Sequence, residues 1–472
     1  MDSRSVVKNT LVAFAAQGIS LLVSILQSLV IPKVMGVESY GYWQLFFFYT
    51  SYAGFFHFGL NDGVYLIKGG ESRDKIDKRS VNSQLVVSIA YQSIIALGIV
   101  ALALSGYFGE DRSFVIFCTA IYLVIHNCAS YYMFVLQAMN ETRRSSYAVM
   151  VERAVYVLPF VALLFMQQAS YKPYVIAFLC SNLAQLLFCI WHTRDFLRCG
   201  VNAPSDSVKE ALGSIRVGIK LMLGGIASQL ILGIARFAID STWGIEVFGE
   251  LSLSLSVASF FLAFVSQVSM VLFPALRQSD RQAVVSFLDA TESFTDIVFP
   301  LMYFAYYPLI LVLSVWLPNY AQGMSFFAAI RPIILYDSKT NLIYYTYFKV
   351  YRREDMILKA NAVACGASAL LTGISLVTVR SYYVVIGIAI AMVVLRSVYY
   401  GRFVARELDT KGGLAPLWLV LLTVVFVALC YTLPLPWSFA CMCVAYGIYL
   451  VLNRRSLVKT VGLVRRNISH GN

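Results

Sequence analysis

The segment Gly36-Val37-Glu38-Ser39-Tyr40-Gly41 returns as Gly244-Ile245-Glu246-Val247-Phe248-Gly249, 208 residues further along a chain of 472. Each copy closes one long apolar stretch and opens the next. The same offset carries the third apolar stretch onto the ninth, the fourth onto the tenth, the fifth onto the eleventh and the sixth onto the twelfth. Arg143-Arg144, after the fourth stretch, meets Arg352-Arg353, after the tenth, within one residue of register. Repetition at this spacing predicts two six-helix lobes, residues 1–205 and 209–411, followed by two added helices at 414–453 and a basic tail at 454–472. Six is even, so the copies share topology and their pseudo-twofold axis lies along the membrane normal, as in parallel-repeat transporters.

That the stretches are membrane spans follows from composition. Hydrophobic residues make up 59% of the chain and charged residues 13%, against about 45–50% and about 25% in soluble domains. Apolar windows of about 20 residues run at 9–35, 41–67, 81–106, 113–138, 146–167, 173–193, 217–243, 249–273, 290–316, 323–348, 356–378, 382–404, 414–433 and 437–453. They are too long for barrel strands and lack strict alternation, so they are helices with internally satisfied backbones. The predicted class is an all-α polytopic membrane protein of about fourteen transmembrane helices. No connection is long enough for a separate soluble domain, which excludes soluble enzymes and nucleic-acid binders. The first apolar run outlasts a signal peptide and shows no A-x-A cleavage site, so it reads as a retained span.

Charge sets the orientation. Most of the 37 Lys and Arg fall in alternate loops, including Arg73, Lys75, Lys78 and Arg79, Arg143-Arg144, Arg352-Arg353 and the tail from Arg454 to Arg466. The opposite loops hold only Lys33, Arg112, Lys172 and Arg380. By the positive-inside rule both termini are cytoplasmic. The nine cysteines lie almost entirely in apolar runs with no C-x-x-C and no paired-His spacing, which reads as packing rather than metal binding. No catalytic signature stands out. Gly213 to Lys220 reads GSIRVGIK, without the Ser or Thr that a phosphate-binding loop needs after its lysine.

The 6+6+2 pattern, the G-x-E-x-[YF]-G turn, Tyr40-Gly41-Tyr42-Trp43-Gln44-Leu45, Gly59-Leu60-Asn61-Asp62-Gly63 and Arg236-Phe237-Ala238-Ile239-Asp240 together resemble the polysaccharide flippases. These are the Wzx-type O-antigen and capsule repeat-unit translocases of the multidrug/oligosaccharidyl-lipid/polysaccharide superfamily. The resemblance implies alternating access by two lobes around a cavity, in a bacterial cytoplasmic (inner) membrane. It implies a substrate of undecaprenyl-diphosphate-linked oligosaccharide carried from the cytoplasmic to the outer leaflet, and no catalytic role. Membrane lipids, a polysaccharide polymerase and chain-length machinery are the implied partners. A drug exporter of the same superfamily and a polytopic polymerase or ligase are the alternatives. The second is disfavoured by outer connections of about ten residues or fewer, since such enzymes as a class carry catalytic residues on a large outer loop or domain.

Ionisable residues inside spans mark the candidate site, since each costs roughly 2.5–3.5 kcal/mol at mid-helix without a partner or a wet cavity. Arg331 lies near the middle of the tenth span beside Pro332, and is the leading substrate-binding residue. Guanidinium groups bind phosphate and carboxylate as planar forks. Lys339 and Asp337 lie deeper on the same helix, and Arg396 at similar depth on the twelfth. Arg153, beside Glu152, sits near the start of the fifth span. Arg236 and Asp240 share a helix face on the seventh, which fits an intrahelical ion pair or a substrate contact. Arg331, Arg153, Lys339, Arg396 and Arg236 are therefore the expected substrate-binding set. Asp62, Asp240, Asp296 and Asp337 are the expected coupling or gating set, for a proton or sodium gradient in place of any cofactor.

Overall fold

The structure is a computed structural model that describes residues 25–277, 281–351, 353–408 and 415–469. Most of the first expected span and the stretch around Lys411 lie outside the described residues. In chain order the helices are α1 (Ile25–Val34), α2 (Val37–Ala53), α3 (Leu60–Lys68), α4 (Lys78–Ala103), α5 (Glu110–Ala138), α6 (Thr142–Phe165), α7 (Lys172–His192) and the short α8 (Arg194–Leu197). They continue as α9 (Pro204–Trp243), α10 (Ile245–Arg277), α11 (Arg281–Val298), α12 (Tyr306–Trp316), α13 (Ala321–Lys339), α14 (Tyr345–Val350), α15 (Glu354–Thr378), α16 (Tyr382–Glu407), α17 (Ala415–Thr432), α18 (Leu435–Leu452) and α19 (Arg454–Ser469). No strand occurs among the described residues. Ten of the helical stretches are long and apolar enough to cross a membrane, and α1 and Pro416–Thr432 are shorter apolar helices.

The repeated hexapeptide is a helix start in both copies. Gly36 caps α2 in an extended conformation, and Gly244, with φ +89°, precedes α10. Glu38 and Glu246 then occupy the first turn, where the exposed N–H dipoles favour a negative charge. Tyr40 and Phe248 are both fully buried one turn in. A different device starts α4, where the Asp77 carboxylate accepts from the Ser80 N–H at 3.0 Å.

Three expected spans are interrupted, the ninth by a 3-10 turn, Phe299–Tyr303, between α11 and α12. The second splits into α2 and α3 around a 3-10 turn, Gly54–His57, followed by Phe58 and Gly59 in the left-handed region. The reason lies across the helix pair. A Cβ on Gly63 would strike the Ser214 backbone, and one on Gly218 would strike the Gly59 carbonyl. Glycines four residues apart on α3 thus meet a serine and a glycine four apart on α9, so the two backbones touch, the small-residue packing that membrane helices use. The tenth span carries a π-turn, Thr340–Tyr344, between α13 and α14, a distortion frequent at functional sites.

The chain forms two compact units, Met1–Ile226 and Ala227–Asn472, and the division falls inside α9. The core of unit 1 gathers Leu60, Val81, Leu85, Tyr131, Val135 and Phe196 from α3, α4, α5 and α8. On the side rich in basic loops, Arg73 binds Glu141 through two parallel bonds of 2.8 Å and Asp195 at 2.7 Å, and Lys78 joins Asp195 at 2.8 Å. The Glu141 hydrogen bond lifts the Arg73 guanidinium further above its usual value. Burial works against ionising Glu141, but Arg73 and Arg144 outweigh it and hold the carboxyl below the usual glutamate range.

In unit 2 the two added helices are part of the packing. Tyr303 stacks on Phe426 of α17 at 4.3 Å and bonds to the Thr423 hydroxyl at 2.8 Å. From α18, Tyr446 and Tyr449 donate to the main-chain carbonyls of Ile297 and Asp296. Large apolar side chains such as Ile94, Leu97, Phe165 and Val377 stay exposed on the spans, the surface that a bilayer covers.

Candidate functional site

Three buried cations of unit 2, Lys339, Arg396 and Arg331, each centre a group. Lys339, at the end of α13, is 3% exposed and places Nζ 2.5 Å from Asp296 and 3.4 Å from Glu292, both on α11. The Tyr344 hydroxyl, from the π-turn, donates to Glu292 at 3.3 Å. One ammonium is therefore shared between two carboxylates.

The second group centres on Arg396 of α16. Its Nη2 donates to Asp337 at 2.5 Å, and its Nη1 to Ser228 at 2.9 Å and to Asn361 at 3.2 Å. Asn361 of α15 is fully buried and also takes a bond from Tyr400 at 3.1 Å. Asp337 and Lys339, two residues apart on α13, point to different partners, as a 3.6-residue turn requires. Their charges are matched within the unit.

Arg331 is the third. It is 3% exposed, and neither Nε nor Nη2 has a hydrogen-bond partner. No ion pair to it occurs among the described residues. Its charge faces Tyr306 of α12 and Cys430 of α17, neither of which supplies a counter-ion. Pro332, next in α13, lacks an N–H and so leaves the carbonyl of Ala328 without its helical donor. Two residues before Arg331, Ala329 helps to line a cavity of about 450 Å³ with Tyr383, Gly387, Ile390, Val427 and Tyr431. Burying a guanidinium without an anion is costly, so this position suits an anion that arrives and leaves.

The remaining expected residues lie outside these three groups. Arg236 donates to Ser252 at 3.1 Å and lies 5.1 Å over the Phe248 ring. Asp240 is buried on the same helix. In unit 1, Asp62 comes within 3.8 Å of His57, whose Nδ1 accepts from the Gly59 N–H. Arg153 lies 3.2 Å from Glu152, with 27% of its side chain exposed against 7% for the carboxylate. The structure therefore brings Lys339 to Asp296 and Arg396 to Asp337, joining members of the two expected sets, and leaves Arg331 apart.

Several polar residues beside the charges escape a reading by charge alone. Asn361, Tyr345, Tyr400 and Ser228 are neutral and sit in apolar runs, and only tertiary contact shows that they serve Arg396. Glu292 and Glu152 carry a signal, since each is an acid near a candidate, but which of them is buried depends on helix rotation.

A family model described as polysaccharide biosynthesis protein matches residues 6–279, more than half of the chain. Among solved structures, the fold is similar to that of the lipid II flippase MurJ in an inward closed conformation, with a TM-score of 0.64 over 96% of this chain and 100% of that one at 12% identity. It is also similar to an inward-facing multidrug resistance MATE transporter of the MOP superfamily, with a TM-score of 0.50 over 85% of this chain and 99% of that one at 11% identity. No curated protein matches the sequence.

Proposed function

The chain belongs to the polysaccharide biosynthesis protein family, and from that premise we propose that it is a flippase of lipid-linked sugars. The substrate in this reading is an undecaprenyl-diphosphate-linked oligosaccharide repeat unit, carried from the cytoplasmic to the outer leaflet of a bacterial inner membrane. The product feeds a surface polysaccharide, O-antigen, capsule or exopolysaccharide, and a polymerase with chain-length machinery receives it. Both termini lie in the cytoplasm. Movement is by alternating access, driven by a proton or sodium gradient.

The observation that carries this reading is Arg331, a buried guanidinium in a membrane span with two unpartnered nitrogens. Lys339 and Arg396 have carboxylate partners of their own. A diphosphate or acidic sugar supplies the anion that Arg331 lacks, bound through paired N–H bonds. The binding must differ between the two access states, because a ligand moves an equilibrium only by its differential affinity. A drug exporter for cationic substrates is a poorer match to an uncompensated cation.

The test is Arg331→Ala in cells, with lipid-linked oligosaccharides extracted and measured by mass spectrometry. Surface polysaccharide is expected to disappear while the protein stays in the membrane, and complete single repeat units should accumulate on the cytoplasmic face. Normal polymer in that variant overturns the Arg331 assignment. After depletion of the protein, single units accessible from outside would indicate a polymerase or ligase, and an unchanged lipid pool a small-molecule exporter.

A further inference from the structure

Glu152 stands out among the buried groups that the proposed function does not use. It lies on α6 with 5% exposure, and its Oε1 is buried with no hydrogen-bond partner. Its Oε2 is 3.2 Å from Nε of Arg153, but the angle makes no hydrogen bond, and that Nε is itself unpartnered. The pair is thus held by charge alone. Arg153 keeps 27% of its side chain exposed against 7% for Glu152, so the cationic side chain is the more accessible of the two.

Among the described residues the surroundings offer no second charge. From α5, Tyr122 faces both Glu152 and Arg153, and His126 stacks on Tyr122 at 4.8 Å with its Nδ1 unpartnered. From α6 itself comes Tyr156, whose hydroxyl accepts from Gln27 of α1 at 3.1 Å. From α7 comes Tyr174, whose hydroxyl is unpartnered. A carboxylate oxygen with no donor in a membrane span is unfavourable while it stays ionised, and a proton removes that charge.

We propose that Glu152 is a proton-binding site, and that taking up a proton frees Arg153 to bind an anion. The proton comes from water onto a Glu152 oxygen and returns to water on release, so no co-reactant is needed. With Glu152 ionised the pair is neutral. With Glu152 protonated, Arg153 is an uncompensated cation, and an incoming anion restores neutrality. Proton and anion therefore bind as a set, and by linkage each raises the affinity for the other by the same factor; a proton bound together with an exported anion is not driven outward by an inward proton gradient, so in this arrangement the driving ion is sodium. The proton site stands alone; the identity of the anion as a diphosphate rests on the flippase reading.

The experiment is infrared difference spectroscopy on the full chain in lipid nanodiscs, titrated from neutral to acid pH. A protonated-carboxyl C=O band should grow on acidification, vanish in Glu152→Gln and persist, shifted, in Glu152→Asp. In Arg153→Gln the band should appear at a pH higher by about 1–3 units, because a neighbouring cation within about 6 Å favours the ionised form. His126→Gln should leave the band in place. Undecaprenyl diphosphate added at fixed pH should strengthen the band. A band unchanged in Glu152→Gln, or no pH-dependent band assignable to Glu152, overturns the site. If undecaprenyl diphosphate binds but leaves the Glu152 band unmoved, the exchange at Arg153 is overturned while the flippase reading stands. If the lipid does not bind, the flippase reading falls, and the pH-dependent band still supports the proton site.

Discussion

An offset of 208 residues sets Gln84, Ser88 and Tyr131 of unit 1 against Glu292, Asp296 and Lys339 of unit 2. All six are polar or hydrogen-bonding groups at one kind of helix contact, α4 with α5 in one copy and α11 with α13 in the other. Unit 1 crosses it with a neutral bond, Tyr131 to the Val81 carbonyl at 2.7 Å, while within α4 Gln84 donates to Ser80 and Gln92 to Ser88. Unit 2 crosses it with an ion pair. Elsewhere unit 1 buries Asn61, Asn127, Asn182 and Gln185 together with the charged Glu152, and unit 2 buries Asp240, Arg331 and Arg396 together with the neutral Asn361. The lesson is that one architecture tolerates either solution, but only the charged one has a large penalty for losing half of a pair.

That difference can be broken most directly at Asp296. Asp296→Ala leaves Lys339 buried with only the more distant Glu292, and should cost about 3–5 kcal/mol. Thermal unfolding in nanodiscs should show it, and Asp296→Asn combined with Lys339→Met should recover most of the loss. Recovery failing in the double variant would mean that packing, not charge, holds this contact.

Gly63→Val probes a demand peculiar to unit 1, the backbone contact of α3 with α9. Extra volume in a closed contact costs about 1–3 kcal/mol, so the folded fraction should fall, whereas Gly98→Ala, where an added Cβ meets nothing within 4 Å, should not lower it. Ser88→Ala, the neutral counterpart of Asp296→Ala, should cost only about 1 kcal/mol, the net worth of an ordinary hydrogen bond. A loss as large as that of Asp296→Ala would erase the contrast between the units. Arg331→Ala sharpens it from another side: removing an unpartnered charge should leave stability unchanged or raised, whereas Arg396→Ala strands Asp337 and should lower it.

The smallest effect belongs to the loop clamp of unit 1. Glu141 has a lowered pKa in the folded protein, so its contribution is present above the ordinary glutamate range and is lost as pH falls through the lowered value. Partial exposure of both side chains limits that contribution to about 1 kcal/mol or less. Acid unfolding curves of the wild type and Arg73→Gln should converge as Glu141 protonates; curves that stay parallel would assign Arg73 no electrostatic role.

Much of the fold is legible before any coordinates. Apolar windows locate helices because a bilayer forces each backbone group to bond within its own segment, and the repeated Gly36 and Gly244 turns mark helix starts in both copies. The candidate charges are legible as well, since Arg331, Lys339 and Arg396 stand alone in apolar runs. Their partners are not. Arg396 and Asp337 are 59 residues apart, Lys339 and Asp296 are 43 apart, and no local spacing rule reaches across that distance. The break at Phe58 and Gly59 shows the same limit: its glycines can be read, but their cause is Ser214 and Gly218 on a helix some 150 residues later in the chain.

The sequence by itself determined the membrane setting, the helical class and which residues are too polar for lipid, because these depend on the chain's own composition and period. The tertiary structure alone decided which charges are matched. Helix rotation and packing give Lys339 and Arg396 carboxylates, leave Arg331 without one and set the Glu152 carboxylate beside Arg153 with an oxygen unsatisfied. Neutralisation at a few ångströms is a property of neighbours in space, which a linear chain does not name.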